Sequence, residues 1–176
     1  MKKLLVVVDM QNDFIDGALG TAEAVLIVDN VKKLIEDYDG DVVFTRDTHE
    51  KEYLKTQEGK NLPVEHCIKG THGWDISPAL NTSGKRIFDK PTFGSTELGE
   101  FVRDGGYCKV ELCGLCTDIC VISNAMLVKA FSPEAEVAVV ADCSAGVTQK
   151  QHDAALDALA PCQIKVIGRG NEPWRK

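Results

Sequence analysis

A chain of 176 residues is long enough to bury a sizeable core and short enough to form one domain. Its hydrophobic fraction of 44% and charged fraction of 27% match ordinary globular proteins and give no sign of disorder. A formal net charge of -7, with no cluster of lysine and arginine, argues against nucleic acid as a partner and leaves small molecules as the expected ligands.

The first element is the apolar run Leu4 to Val8. It follows two lysines and is too short for the h-region of a signal peptide, and no run in the chain approaches the length of a membrane span. A cytoplasmic protein is expected, with reduced thiols. Seven cysteines at irregular spacing do not form a disulfide framework. Ala22 to Asp37 then places Ala24, Ile27, Val28, Val31, Leu34 and Ile35 on one helical face. Asp41 to Thr45 reads as the second strand and Arg86 to Phe88 as a short third. The stretch between them, about 50–83, is polar and rich in Gly, Pro and His; structureless connections of that length are uncommon, so it reads as a functional insertion in a single domain spanning 1–176. Glu97 to Asp104 reads as a helix, Lys109 to Cys113 as a strand, and Thr117 to Phe131 as a second helix. Glu136 to Ala141 (strand), Gln149 to Leu159 (helix) and Gln163 to Ile167 (strand) complete the series. Near-continuous apolar strands alternating with helices predict an α/β fold: an open six-stranded parallel sheet with helices on both faces.

Open α/β sheets place their sites at the carboxyl ends of the strands. Asp9, the run Arg46-Asp47-Thr48-His49, Asp89-Lys90, and Gly114 with its cysteine segment all fall at such ends. The segment ELCGLCTDIC offers three chemistries. A zinc site on Cys113 and Cys116 lacks a second paired motif. A thioredoxin-like dithiol would begin just after the strand, whereas Cys113 sits inside it. Cys120 opens the apolar helix CVISNAMLV, where unpaired N–H groups and the helix dipole favour a thiolate. Local evidence leaves Cys120 open between a nucleophile and a small buried filler.

Three motifs together resemble the signatures of the isochorismatase-like cysteine hydrolases: VVVDMQNDF, DKPTFGSTEL and GLCTDICV, in that order. The resemblance implies a catalytic triad of Asp9, Lys90 and Cys120. Cys120 would attack a carbonyl, Asp9 would carry the protons, and Lys90 would favour the thiolate and fix the carboxylate. It further implies a cis peptide between Leu115 and Cys116, with the backbone N–H groups of Cys116 and Cys120 directed at the oxyanion, while Cys113 packs in the core.

Within that family, Asp47-x-His49 followed by His66 resembles the metal site of the nicotinamidases, with Glu58 as a further ligand. An Asp and His after a strand, joined by a loop His, suit a divalent ion such as zinc, with manganese or iron as alternatives. The resemblance implies that the metal holds a pyridine nitrogen and presents the carboxamide to Cys120. It also implies hydrolysis of nicotinamide to nicotinate for NAD salvage, and a homo-oligomer. Nicotinamidases often carry an aromatic residue shortly before the last histidine, where this chain offers Leu62. Phe14 and Phe93 are expected to wall the substrate, with Tyr53 as another candidate. His72, His152, Trp74 and Trp174 read as structural. Two other classes stay open: a family hydrolase acting on a carbamoyl or aliphatic amide, and a non-enzymatic binder of small ligands.

Overall fold

The computed structural model describes residues 2–175. Among them, six strands form one parallel sheet in the order β3-β2-β1-β4-β5-β6. The strands are β1 (Lys3–Val8), β2 (Asp41–Asp47), β3 (Ile87–Lys90), β4 (Lys109–Leu115), β5 (Glu136–Ala145) and β6 (Lys165–Ile167). The expected six-stranded parallel sheet is therefore observed. The chain builds outward from β1 through β2 to β3, then returns to β4 on the other side of β1. This reversal creates a switch point between β1 and β4, where the loops leaving the two strands part and open a crevice.

Both faces of the sheet are covered, as side-chain alternation requires of a buried parallel strand. Leu4, Val6 and Val8 of β1 pack on one side with α4 (Thr96–Gly105), α5 (Ile122–Phe131) and α6 (Gln149–Leu159) through Leu98, Val102, Ala125, Val128 and Leu156. Leu5 and Val7 face the other side, against α1 (Asn12–Ile15) and α2 (Ala22–Asp37). Of the six residues expected on the inner face of α2, Ala24, Ile27, Val31 and Ile35 are buried, and Val28 and Leu34 flank them. Thr21 caps this helix by accepting the N–H of Ala24 at 3.0 Å. No helix among the described residues is long and apolar enough to cross a membrane.

Four strands run past the ends read from the sequence, β5 reaching Ala145, and two of the extensions move a polar residue into the site. β2 and β3 run on to Asp47 and Lys90, which pair in register on neighbouring strands. β4 continues past Cys113 because Gly114 adopts φ +116, with a register shift against β5 between Leu112 and Gly114. The helix expected over 117–131 is split: Thr117–Val121 forms a wider π-helical turn before α5 begins. Val121 N–H reaches back five residues to the carbonyl of Cys116 at 3.0 Å. Single π turns of this kind are frequent at functional sites.

The segment 50–83 is a succession of turns, a 3-10 turn at Tyr53–Lys55 and the short α3 (Gln57–Asn61). Main-chain bonds fasten it to the strand ends: His49 N–H to Cys67 O (3.0 Å), Lys69 N–H to His49 O (2.9 Å), Asp13 N–H to Gly73 O (3.0 Å) and Ser77 N–H to Met10 O (2.9 Å).

A Cβ on residue 114 would lie 2.1 Å from the carbonyl oxygen of Val8 in a backbone conformation that L-residues avoid. Gly114→Ala is expected to lose more than about 2 kcal/mol of stability. A urea melt superimposable on that of the wild type would contradict this.

Candidate active site

Asp9, Lys90 and Cys120 meet at the switch point. Asp9 leaves β1 at φ +46 and is fully buried; its Oδ1 accepts the Thr45 hydroxyl at 2.7 Å. Lys90 closes β3, and its Nζ lies 2.6 Å from Asp9 Oδ2 and 3.5 Å from Cys120 Sγ. The same ammonium stands 3.3 Å from Asp47 Oδ1 and donates to the Thr92 carbonyl at 3.0 Å. Its side chain is 0% exposed, so the charge persists only because these acceptors surround it.

The electrostatics separate the three groups by role. Burial opposes the charge on Lys90, but Asp9, Cys120 and Asp47 outweigh it and hold the ammonium protonated. Burial raises the Asp9 carboxyl above its ordinary range, with Lys90 opposing and Asp47 adding to the rise. Burial and then the Asp9 carboxylate push the Cys120 thiol well up, against Lys90. Cys120 lies inside the π turn with its side chain on the cavity wall, and burial favours a protonated sulfur there. A carboxylate of raised basicity that shares one ammonium with the thiol is an arrangement for proton transfer during attack.

A second cluster adjoins the first. One oxygen each from Asp47 and Glu58 and one ring nitrogen each from His49 and His66 converge within 4.8 Å of one another. Asp47 Oδ2 lies 3.0 Å from His49 Nε2 and 3.6 Å from His66 Nε2; Glu58 Oε1 is 3.6 and 3.7 Å from the same two nitrogens. His66 Nδ1 is engaged by the Val64 carbonyl at 2.8 Å, which fixes the tautomer and leaves Nε2 as the free lone pair. Burial raises the Asp47 carboxyl, yet the two histidines and Lys90 override it and hold it well below the carboxylate range. Burial and Asp47 push Glu58 upward. Two imidazoles and two crowded carboxylates, with one donor atom of each turned toward the others, fit a divalent cation.

Both clusters open onto one cavity of about 220 Å³. Its wall includes Glu58 and His66 from the donor cluster, Cys116 and Cys120 from the nucleophile turn, and Phe14, Leu62 and Phe93. All three expected substrate-wall residues therefore line it. Tyr53 does not: it is fully buried behind the donors, its ring centroid 4.7 Å from that of His49 and 4.9 Å from that of His66, and its hydroxyl donates to the Leu62 carbonyl at 2.9 Å. The Leu115–Cys116 peptide is cis, as the resemblance implied. Cys113 is fully buried in the core, and Trp74 stacks on the Arg46 guanidinium outside the cavity.

Several supports were given no role in the reading of the sequence. Gln11 is fully buried and brackets Asp47, accepting its N–H at 2.7 Å and donating to its carbonyl at 2.8 Å. Asp13 accepts the N–H of Cys67 at 2.8 Å and so anchors the loop next to His66. Asn124 donates to the carbonyls of Cys120 (2.8 Å) and Phe93 (3.1 Å), joining the nucleophile turn to the cavity wall.

Residues 3–170 match the isochorismatase domain family. This chain belongs to the isochorismatase family. It is 27% identical to the nicotinamidase/pyrazinamidase of Mycobacterium tuberculosis over 94% of its own length and 98% of that protein. Among solved structures, this isochorismatase-family chain resembles the pyrazinamidase of Pyrococcus horikoshii in complex with zinc, at TM-score 0.82 and 27% identity, with 95% and 99% of the two chains covered. It also resembles the N-carbamoylsarcosine amidase of Thermoplasma acidophilum, at TM-score 0.77 and 28% identity, with 95% and 96% covered.

Cys108 and Cys162 are exposed and provide internal controls for thiol chemistry. Asp9→Asn removes the proton acceptor and is expected to slow iodoacetamide labelling of Cys120 by about tenfold or more, leaving the two controls unchanged. Peptide mass spectrometry reads each site. Unaltered labelling of Cys120 would remove Asp9 from the role of base.

Proposed function

We propose that this chain is a metal-dependent amidohydrolase that converts nicotinamide and water to nicotinate and ammonia. The observation that carries this reading is that one cavity wall holds the nucleophile Cys120 together with the donors Glu58 and His66. An apolar slot between Phe14, Leu62 and Phe93 suits a flat heteroaromatic ring, and about 220 Å³ is below the range of drug-sized pockets, which favours a single-ring substrate.

In the proposed course, Cys120 Sγ attacks the carboxamide carbon while Asp9 takes the thiol proton. Asp9 returns that proton to the departing nitrogen, ammonia leaves, and a thioester to Cys120 remains. A water molecule deprotonated by Asp9 then attacks the thioester, releasing nicotinate and restoring the thiol. Lys90 stays protonated throughout, holding Asp9 in place 2.6 Å away and keeping its charge beside the sulfur. The backbone N–H groups of Cys116 and Cys120 are the proposed oxyanion donors; one such donor is worth roughly 3 kcal/mol of transition-state stabilisation. Asp47, His49, Glu58 and His66 would hold the divalent ion, which we take to be zinc, with manganese or iron as alternatives. When bound, the ion supplies a Lewis-acidic anchor for a pyridine nitrogen. The reading extends to NAD salvage, a cytoplasmic location, a homo-oligomer, and a metal-serving insertion at about 50–83.

A second reading, a carbamoyl or aliphatic amide hydrolase, draws on the likeness to the N-carbamoylsarcosine amidase. It leaves the four-donor cluster without a role. Two measurements separate the readings. Metal-replete protein is expected to release ammonia from nicotinamide, and a chelator is expected to abolish that release until a divalent ion is restored. His49→Ala and His66→Ala are expected to weaken metal affinity by more than about a hundredfold while leaving Cys120 alkylation intact. A reactive Cys120 with no nicotinamide turnover would move the substrate to the second reading.

A further inference from the structure

Thr117, the first residue of the turn that carries Cys120, is fully buried and takes no part in the cavity wall. Its Oγ1 lies 2.8 Å from Nδ1 of His152 on α6, and His152 Nε2 lies 3.3 Å from Glu172 Oε1. All three residues have 0% exposure. Glu172 is itself fixed from the C-terminal segment: its Oε2 accepts the N–H of Gly170 and the Nε–H of Arg175, both at 2.7 Å. Trp174 closes the site edge-on, with its ring centroid 5.3 Å from that of His152.

The protonation states follow from these partners. Burial favours a neutral His152, with Glu172 opposing. Burial would raise Glu172, but backbone N–H groups and Arg175 outweigh it and keep the carboxylate ionised. A neutral imidazole has one donor and one acceptor. Facing a carboxylate, Nε2 carries the proton, so Nδ1 accepts the hydroxyl proton of Thr117. The next residue is held from the same side: Asp118 Oδ1 accepts the N–H of Val147 at 3.0 Å.

Two other roles fail on the geometry. A hydroxyl–imidazole–carboxylate chain is the layout of a nucleophile with its base, but Thr117 has no access to the cavity. The donor atoms of His152, Asp153 and Glu172 also converge as a metal site would require. However, both ring nitrogens of His152 are engaged, and the Arg175 guanidinium already pairs with Asp153 and Glu172.

We propose that the Thr117–His152–Glu172 chain is a positioning device through which the C-terminal segment sets the geometry of the nucleophile turn. Fixing Thr117 fixes the adjoining Cys116 carbonyl, which receives the N–H groups of Ile119 (3.1 Å) and Val121 (3.0 Å) on either side of Cys120. The aim of the sulfur therefore depends on it, whereas Phe14, Leu62 and Phe93 do not. The inference rests on the amidohydrolase reading for its substrate but not for its thiol readout.

The test compares Thr117→Val, which removes the hydroxyl at constant shape, with Thr117→Ser, which keeps it. Thr117→Val is expected to lower both kcat on nicotinamide and the alkylation rate of Cys120 by about tenfold or more, with KM within about twofold of the wild type. Thr117→Ser is expected to recover both rates to within about threefold of the wild type. Wild-type rates in Thr117→Val, or equal losses in the valine and serine variants, would overturn the proposal. Should Thr117→Val not fold, Glu172→Gln, which releases the His152 tautomer, is judged by the same two rates: a loss at constant KM supports the device and unchanged rates overturn it. If the wild type does not hydrolyse nicotinamide, that function fails while the alkylation rates still decide this proposal.

Discussion

A single buried ammonium organises the centre of this molecule. Lys90 has no exposed side-chain surface, and its charge is tolerated only because Asp9, Asp47 and the Thr92 carbonyl lie within 3.3 Å of Nζ. Taking any of these away would leave an uncompensated charge in a dry interior. The three strands that deliver Asp9, Asp47 and Lys90 must therefore end at matched heights, and the register does this by pairing Asp47 with Lys90 across β2 and β3. The cation also joins the two halves of the site. It touches Asp9, beside Cys120, and Asp47, one of the four converging donors, so neither cluster can shift without disturbing the other.

The nucleophile follows from the same arrangement. A resting thiolate would add a third negative charge beside Lys90, within reach of Asp9 and Asp47, in a place where burial already penalises charge. Burial favours a protonated sulfur, and the Asp9 carboxyl, its basicity raised by the same burial, shares the Lys90 ammonium with it. Reactivity thus depends on alignment more than on a permanently ionised sulfur, which gives the supports of the turn their importance. Asn124 holds the carbonyl of Cys120 from one side, and Thr117 and Asp118 are held from α6 and the loop before it.

How much of this was legible in the sequence depends on the range of the interaction. Hydrophobic patterning is local, so β1 as a continuous apolar run and the inner face of α2 could be read directly, as could the parallel sheet. Strand ends were read short at Asp47, Lys90 and Leu115 because polar residues and a glycine normally close a strand. Here they are buried by one another. The triad and the donors Asp47, His49 and His66 were legible by resemblance, which supplied what spacing alone left open for Cys120. Glu58 was legible by the same resemblance, and α3 turns it inward; Tyr53 was misplaced because its ring packs behind the histidines rather than in front of them. Gln11, Asn124 and the pairing of Thr117 with His152 were invisible. Each is a contact between a common polar residue and a main chain or side chain, mostly far away in sequence, with no periodicity to mark it.

The fastening of the segment 50–83 has a consequence for how such a protein can change. Glu58, Leu62 and His66 come from a loop whose attachments to the strand ends are largely main-chain hydrogen bonds, while the triad stands on the sheet itself. A backbone bond is indifferent to the side chain that its residue carries. An exposed wall residue such as Leu62 can be exchanged while the loop keeps its path and the triad its alignment. Substrate choice and bond-breaking are thereby heritable as separate parts, and one scaffold can acquire new amides by rewriting a few loop positions.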